Sequence, residues 1–200
     1  MIRFLKIAFA LVVALGFGSA NAQDAMVKSN RKEASPEPGK ALVIFVRSSM
    51  VVGAYSAPVI DVDVKNPEPK PGQAALDDRV VGILSSYSKV AYQAEPGEHT
   101  FMSMPSGGGA ALVLKANLQA GRTYFVLVKP NWGMSPSFTL MPMRNDPKSE
   151  FRLDSPDLAL WLGRTDFYEP TDFAQGWLNG NRQSVNQKKA DALREWAKLP

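Results

Sequence analysis

The sequence predicts a mainly β protein, an antiparallel β-sandwich of seven or eight strands with a C-terminal helical extension. Short apolar runs with strand-like patterning recur from residue 41 to about residue 143. Turn residues separate these runs, and the spacing of apolar residues becomes helical after residue 150. The chain has 200 residues, of which 45% are hydrophobic, and this is enough to enclose one sizeable core.

The strands are predicted from two kinds of pattern. Residues 41–46 are apolar on both faces, as expected of a central strand that is covered on both sides. Residues 59–64 alternate, with three apolar side chains on one face and Asp61 and Asp63 on the other. The remaining predicted strands are Arg79–Leu84, Lys89–Gln93, His99–Met104, Ala111–Leu118, Arg122–Lys129 and Ser137–Met143.

Proline and glycine mark the turns between these strands. Glu95-Pro96-Gly97-Glu98 has proline at the second and glycine at the third position of a type II turn, where glycine accepts a positive φ at little cost. Gln119-Ala120-Gly121 offers a short hairpin connection. Turns this frequent between short strands favour a β-sandwich or a barrel, and we expect a sandwich of the immunoglobulin or transthyretin kind.

Three helices are predicted beyond residue 150. Ser155 precedes Pro156 at the first position of a helix, and Thr171 is placed to cap a second one. Ser184 and Gln187 have the spacing of a capping box for a final helix that ends near residue 198. The apolar stripe expected to dock this helix on the sandwich is Leu193, Trp196 and Leu199.

The N-terminus has the layout of a secretory signal peptide. Arg3 and Lys6 precede an apolar run over residues 7–17, and the small residues of Ala20-Asn21-Ala22 follow. The apolar run falls short of the ~20 residues that a membrane span needs. Cleavage is therefore expected between Ala22 and Gln23, which predicts a periplasmic or secreted bacterial protein exported by a Sec-type signal.

Four segments follow from these patterns. Residues 1–22 are the expected signal peptide, and residues 23–39, poor in large apolar groups, are expected to form a flexible lead-in. Residues 40–145 form the sandwich, and residues 146–200 form the helical extension packed on it. The chain has no cysteine, so lipoprotein processing is chemically excluded, no stable membrane anchor is expected after cleavage, and stability must come from packing rather than disulfides.

The charge distribution argues against nucleic acid as a partner. The formal net charge is +4, and two of the 23 cations belong to the signal segment. The other cations are spread along the chain, whereas proteins that bind nucleic acid cluster them on one face.

Four pieces of the chain between residues 40 and about 143 resemble, in order and spacing, a bacterial envelope family known as domain of unknown function 2846. The pieces are Ala41-Leu-Val-Ile-Phe-Val-Arg47, Val81-Gly-Ile-Leu84, Glu95-Pro-Gly-Glu-His-Thr100 and Ala120-Gly-Arg-Thr-Tyr-Phe125. The resemblance implies an exported β-sandwich and no particular reaction. Many members of the family carry a lipoprotein cysteine, which this chain lacks.

Nucleophilic catalysis finds little support in the sequence. A Ser–His–Asp triad would need His99, the single histidine, and no G-x-S-x-G sequence accompanies it. We interpret His99 as a turn or strand-edge residue bonded to backbone. Ser86 and Lys89 have the spacing of a serine–lysine pair, but Ser86 falls in a predicted turn rather than on a helix.

Two groups of side chains have the chemistry of metal ligands. Asp61 and Asp63, with Asp77 and Asp78 close in sequence, offer oxygen ligands for calcium, but we prefer to interpret them as a solvated strand face, because their spacing does not match an EF-hand loop. Two methionine pairs at strand spacing offer thioether ligands for copper(I), and methionine is also a routine core residue. The methionine set is Met102, Met104, Met141 and Met143, with Met134 as a further candidate. We expect no cofactor and no metal.

Four tryptophans are candidates for stacking on a sugar. Trp132 lies in a predicted loop and is expected to be exposed. The other three follow helical spacing and are expected to anchor the helices; they are Trp161, Trp177 and Trp196.

The sequence therefore favours an exported, non-catalytic binding or interaction module whose partner is an envelope protein or a glycan. Arg47, at the end of a strand, and His99, after the Pro-Gly turn, are the candidate contact residues because both lie in the pieces that match the family. The alternative is an envelope hydrolase or glycan-processing enzyme, which needs carboxylates brought together from separate strands. Copper handling through the methionine pairs is a third hypothesis.

Overall fold

A computed structural model describes residues 24–48, 55–64, 78–105, 109–131 and 137–198. The predicted cleavage site at Ala22 and Gln23 lies outside these ranges, as do the candidates Asp77, Trp132 and Met134 and the stripe residue Leu199. The described strands are β1 (Met26–Lys28), β2 (Ala41–Arg47), β3 (Ala57–Asp61), β4 (Arg79–Leu84), β5 (Ser88–Ala94), β6 (Gly97–Ser103), β7 (Leu112–Leu118), β8 (Thr123–Asn131), β9 (Ser137–Pro142) and β10 (Asp166–Pro170). The helices are α1 (Pro156–Arg164), α2 (Asp172–Gly180) and α3 (Arg182–Trp196).

The strands form two sheets. The first has six strands in the order β1-β10-β5-β2-β8-β9, and the second has four in the order β4-β3-β6-β7. This confirms a mostly β chain with C-terminal helices. The first sheet is mixed rather than antiparallel as predicted, because β2 pairs in parallel with β8 and β10 pairs in parallel with β5. The chain crosses from the four-stranded to the six-stranded sheet between β7 and β8, and β8 runs parallel to its neighbour β2. β10 follows α1, which connects it to β9 of the same sheet, and it runs parallel to β5.

The main core lies between the sheets. Val43 and Phe45 of β2 and Val126 of the neighbouring β8 pack in one cluster with Phe101 of β6 from the other sheet, and all four are buried. The rings of Phe45 and Phe101 meet edge to face with their centroids 5.1 Å apart, a favoured arrangement of aromatic pairs.

A second apolar layer covers the outer face of the six-stranded sheet. Leu42, Ile44 and Val46 of β2 are buried there, and Trp161 and Leu162 of α1 pack against their cluster. Since the alternate residues of β2 face the main core, the prediction that this strand is covered on both faces is confirmed.

Helices α2 and α3 cover the outer face of the four-stranded sheet. Ile60 and Met102 on that face lie in one buried cluster with Leu178 of α2 and Val185 of α3. Successive strand residues point to opposite faces, so Asp61 looks toward the six-stranded sheet. The expected freely solvated face is therefore not what Asp61 has: its side chain is only 14% exposed.

The predicted flexible lead-in is partly ordered. β1 pairs antiparallel with β10, and the Thr171 hydroxyl donates to the Asp24 carbonyl at 2.7 Å. Neither strand is predicted by the sequence pattern, because neither carries a long apolar run. Their backbone hydrogen bonds with each other, and those of β10 with β5, order them.

The helix starts follow the sequence in part. Ser155 caps α1 by accepting from the Asp157 amide, as predicted. Thr171 is the N-cap residue of α2, without a side-chain capping bond. The capping box predicted at Ser184 is wrong, because α3 already begins at Arg182.

The face that α3 buries also differs from the predicted stripe. Val185, Lys189, Ala190 and Ala192 are buried, whereas Leu193 and Trp196 are only half-buried. Small residues allow the helix to lie close to the sheet, and a buried ion pair fixes it there. The Lys189 ammonium lies 3.0 Å from a carboxylate oxygen of Asp78, and both side chains are at most 1% exposed.

Helix α1 is held in a similar way from β5. The Lys89 ammonium donates to the carbonyls of Leu162 and Thr165 at the C-terminal end of the helix. A cation at this end satisfies carbonyls that lack helical partners and complements the helix dipole. Within the described ranges, no helix is long and apolar enough to cross a bilayer.

Candidate functional site: a polar cleft at one end of the sandwich

Three polar side chains meet where β3, β5 and β6 come together at one end of the sandwich. A single carboxylate oxygen of Asp61 accepts hydrogen bonds from the Tyr92 hydroxyl at 2.9 Å and from His99 Nδ1 at 2.7 Å. Tyr92 belongs to the six-stranded sheet, and Asp61 and His99 belong to the four-stranded sheet. The cluster therefore joins the two sheets at the end of the core.

The His99 imidazole is held at both nitrogens. While Nδ1 faces the Asp61 carboxylate, Nε2 lies 2.8 Å from the carbonyl of Glu95. The ring also stacks on Phe101, with centroids 5.7 Å apart and planes 7° from parallel. Both partners accept, so both nitrogens donate only in the imidazolium form.

The electrostatics of the cluster follow from this geometry. The hydrogen bond to Asp61 raises the pKa of His99 and outweighs the opposing effect of burial. Burial raises the pKa of Tyr92, and the Asp61 carboxylate raises it further. Neither side chain is set up as a base toward a substrate, and His99 has no free nitrogen with which to activate a serine. The interpretation of His99 as bonded to backbone is confirmed at Nε2. The bond from Nδ1 to the Asp61 carboxylate was not predicted.

An open cleft of about 700 Å³ surrounds this cluster. Its wall carries charges of both signs: the cations include Arg79 and Lys115, and the anions include Glu95 and Glu98. Within the described residues, neither Arg79 nor Glu98 forms an ion pair. The cleft thus offers donors and acceptors to a polar ligand.

Arg47 lies at the other end of the sandwich. Its register partner on β5 is Ser88, whereas the cluster end of β5 pairs with Ala41 through Ala94. The Arg47 side chain is buried, donates from Nη1 to the carbonyls of Tyr55 and Leu84, and lies over the ring of Phe138. Burial lowers the pKa of Arg47 to about 10. The structure therefore does not bring Arg47 and His99 together.

The structure does not support the serine–lysine site or the calcium site, because the side chains that each site needs have other partners. Ser86 lies in the turn between β4 and β5, while the Lys89 ammonium is bonded to the end of α1. Asp78 is committed to Lys189, and its other carboxylate oxygen accepts from the Asp63 amide. Among the described residues, no three His, Asp or Glu side chains group closely enough to hold a metal ion.

The methionine pairs lie in different parts of the fold. Met102 and Met104 belong to the cluster beneath α2 and α3. Met141 is on β9 of the other sheet, and Met143 follows that strand. The three tryptophans predicted as helix anchors are half-buried. Trp161 and Trp177 pack against apolar clusters, as an anchoring role requires.

Sequence reasoning missed Tyr92 and Arg79 as members of the site. Tyr92 shares the alternation of Val90 and Ala94, which face the main core, and a tyrosine in such a row needs a partner for its hydroxyl. That signal predicts a buried polar partner without saying that the partner is Asp61.

No protein-family model and no curated protein matches this sequence. Among solved structures, the NMR structure of a protein from Eubacterium rectale is similar to 59% of this chain and 98% of its own, with 10% identity and a TM-score of 0.33.

Proposed function

We propose that this protein is an exported, non-catalytic binding module, and that the polar cleft around Asp61, Tyr92 and His99 is its ligand-binding surface. The observation that carries the proposal is the double engagement of His99, whose two nitrogens are both held by acceptors. A cluster satisfied in this way is rigid, and a rigid rim is suited to positioning a ligand. The ligand is a polar surface with donors and acceptors, on a glycan or an envelope protein.

The export part of the proposal rests on the sequence of residues 1–22. It predicts a mature protein that begins at Gln23 in the periplasm or outside the cell. N-terminal sequencing of protein recovered from the extracellular and periplasmic fractions tests this directly. A chain recovered there that begins at Met1 would contradict it.

The sandwich is proposed to belong to the immunoglobulin or transthyretin kind and to the envelope family with which it shares four sequence pieces. Two sheets packed over one apolar core support this proposal. The two parallel pairings are a departure from a purely antiparallel arrangement.

Ligand binding is tested with His99 as a built-in reporter, because it is the single histidine of the chain. Its imidazole resonances are followed by NMR while envelope glycan fragments, and then proteins captured from envelope extract, are added. A ligand of the cleft is expected to shift them saturably, and the Arg79→Ala and Glu98→Ala variants are expected to weaken binding about tenfold. Lys28→Ala, on the edge strand β1 and outside the lining of this cleft, is the matched control and should bind as the wild type does. Ligands that bind all four proteins equally would refute the cleft as the site.

The second candidate function is an envelope hydrolase, because several carboxylates line the same cleft. They are Asp61, Asp63, Glu95 and Glu98. Glycoside hydrolysis needs a pair of carboxyl groups across the scissile bond. Release of product from envelope glycan, abolished in the Glu98→Gln variant and retained in Lys28→Ala, would favour this function over simple binding.

A further inference from the structure

We propose that a second cleft, which opens between the two sheets beside β7 and β8, binds a single-chain fatty acid with its carboxylate at the rim. This cleft measures about 470 Å³, within the ~300–1,000 Å³ typical of small-molecule sites. Its floor is the main core, where Val43 and Phe101 are buried. The inference is independent of the polar cleft and of its ligand.

The interior of the cleft suits an alkyl chain. Leu114 and Leu118 of β7 lie on one side, and Val126 of β8 lies on the other. Leu153, from the segment before α1, lies at the wall. A ligand that enters here extends the packing between the sheets, and apolar area removed from water is the source of its affinity.

The rim of the cleft is cationic. Lys115, Arg122 and Arg144 line it, and no aspartate or glutamate does. All three are exposed, and none forms an ion pair within the described residues. The ammonium of Lys115 lies 5.9 Å from the ring centre of Trp196, so the two arginines are the available partners for an anion.

The combination selects the class of ligand. Arginine binds a carboxylate in a bidentate manner, and the Tyr124 hydroxyl, which accepts from the Gln119 amide at 3.0 Å, keeps its own proton to donate. An apolar interior with a cationic rim matches an anionic head on an apolar tail. A cationic amphiphile of the same length has the tail but meets repulsion at the rim.

The test is calorimetric titration of the protein with decanoate and dodecanoate below their micellar concentrations. Dodecyltrimethylammonium, with the same chain and the opposite charge, is the control ligand. Each buried methylene contributes ~0.8 kcal/mol, so two more of them should tighten binding roughly fifteenfold. We expect one dodecanoate per chain, and at least tenfold weaker binding of the cationic amphiphile.

Three variants locate the binding site. Arg122→Ala and Arg144→Ala should each weaken dodecanoate binding about fivefold or more, and Leu153→Trp, which fills the wall, should abolish it. These three residues line this cleft and not the polar one. Lys28→Ala removes a cation at the far edge of the sheet and should bind as the wild type does. Absence of saturable binding, equal binding of the cationic amphiphile, or dodecanoate binding that both arginine variants retain would overturn the proposal.

Discussion

Replacing Lys189 by methionine should destabilise the protein by about 3 kcal/mol. Methionine keeps most of the side-chain volume but removes the ammonium, which lies 3.0 and 3.2 Å from the two carboxylate oxygens of Asp78. Both side chains are at most 1% exposed. Removing one member of a buried ion pair costs about 3–5 kcal/mol, because the remaining charge is left in a poorly solvated place.

The structure places this prediction at the low end of that range. After the substitution, Asp78 still has Arg182 at 3.3 Å, whose side chain is 18% exposed, and it still accepts from the Asp63 amide. Asp78→Asn should cost about as much, since it leaves the Lys189 cation with oxygen acceptors but no opposite charge.

Urea unfolding measures these changes, with tryptophan fluorescence reporting on the helices and circular dichroism on the sheets. The double variant should lose no more stability than either single one, which gives a coupling free energy of about 3 kcal/mol or more. Arg194→Met is the matched control on α3, because its pair with Asp191 is exposed and such pairs contribute ~0.2–1 kcal/mol. Single losses below 1 kcal/mol, or losses that simply add in the double variant, would show that the pair does not hold α3 in place.

Three further predictions concern single positions. Because the pKa of His99 is raised in the folded state, the histidine stabilises the fold fully below its unfolded pKa of about 6.5, and this contribution is lost as the pH rises through the higher folded value. His99→Gln should remove this part of the pH dependence of the free energy of unfolding. A pH profile that the substitution leaves unchanged would contradict the hydrogen bond between His99 and Asp61. Gly82→Ala should destabilise by about 1–3 kcal/mol, because its Cβ would lie 2.8 Å from a methyl group of Val90. Gly176→Ala, in the open face of α2, should stabilise by ~0.4–1 kcal/mol, and urea unfolding measures both variants. Tyr87 has a φ of 58°, so Tyr87→Gly should raise the melting temperature, and a lowered one would mean that its ring contributes more than the backbone strain costs.

Sequence patterning anticipated the strands of the sandwich and the start of α1, because these elements depend on local signals. Alternation, turn glycines and a serine before a proline act within a few residues. The same signals could not reveal β1 and β10, which are ordered by pairing with each other and with β5. They also placed the buried face of α3 wrongly, because that face is small and partly polar. Its Lys189 is buried because it pairs with the carboxylate of Asp78, which lies far away in the chain.

The sequence by itself determined that the chain builds a β core with helices behind it, because hydrophobic period and turn chemistry are properties of neighbouring residues. It also marked His99 as unusual, as the single histidine beside a turn. Only the tertiary structure decided that His99 meets the carboxylate of Asp61, because Asp61 lies on another strand, 38 residues away in the chain. The two clefts arise in the same way, from the spacing of two sheets, and no local pattern encodes that distance.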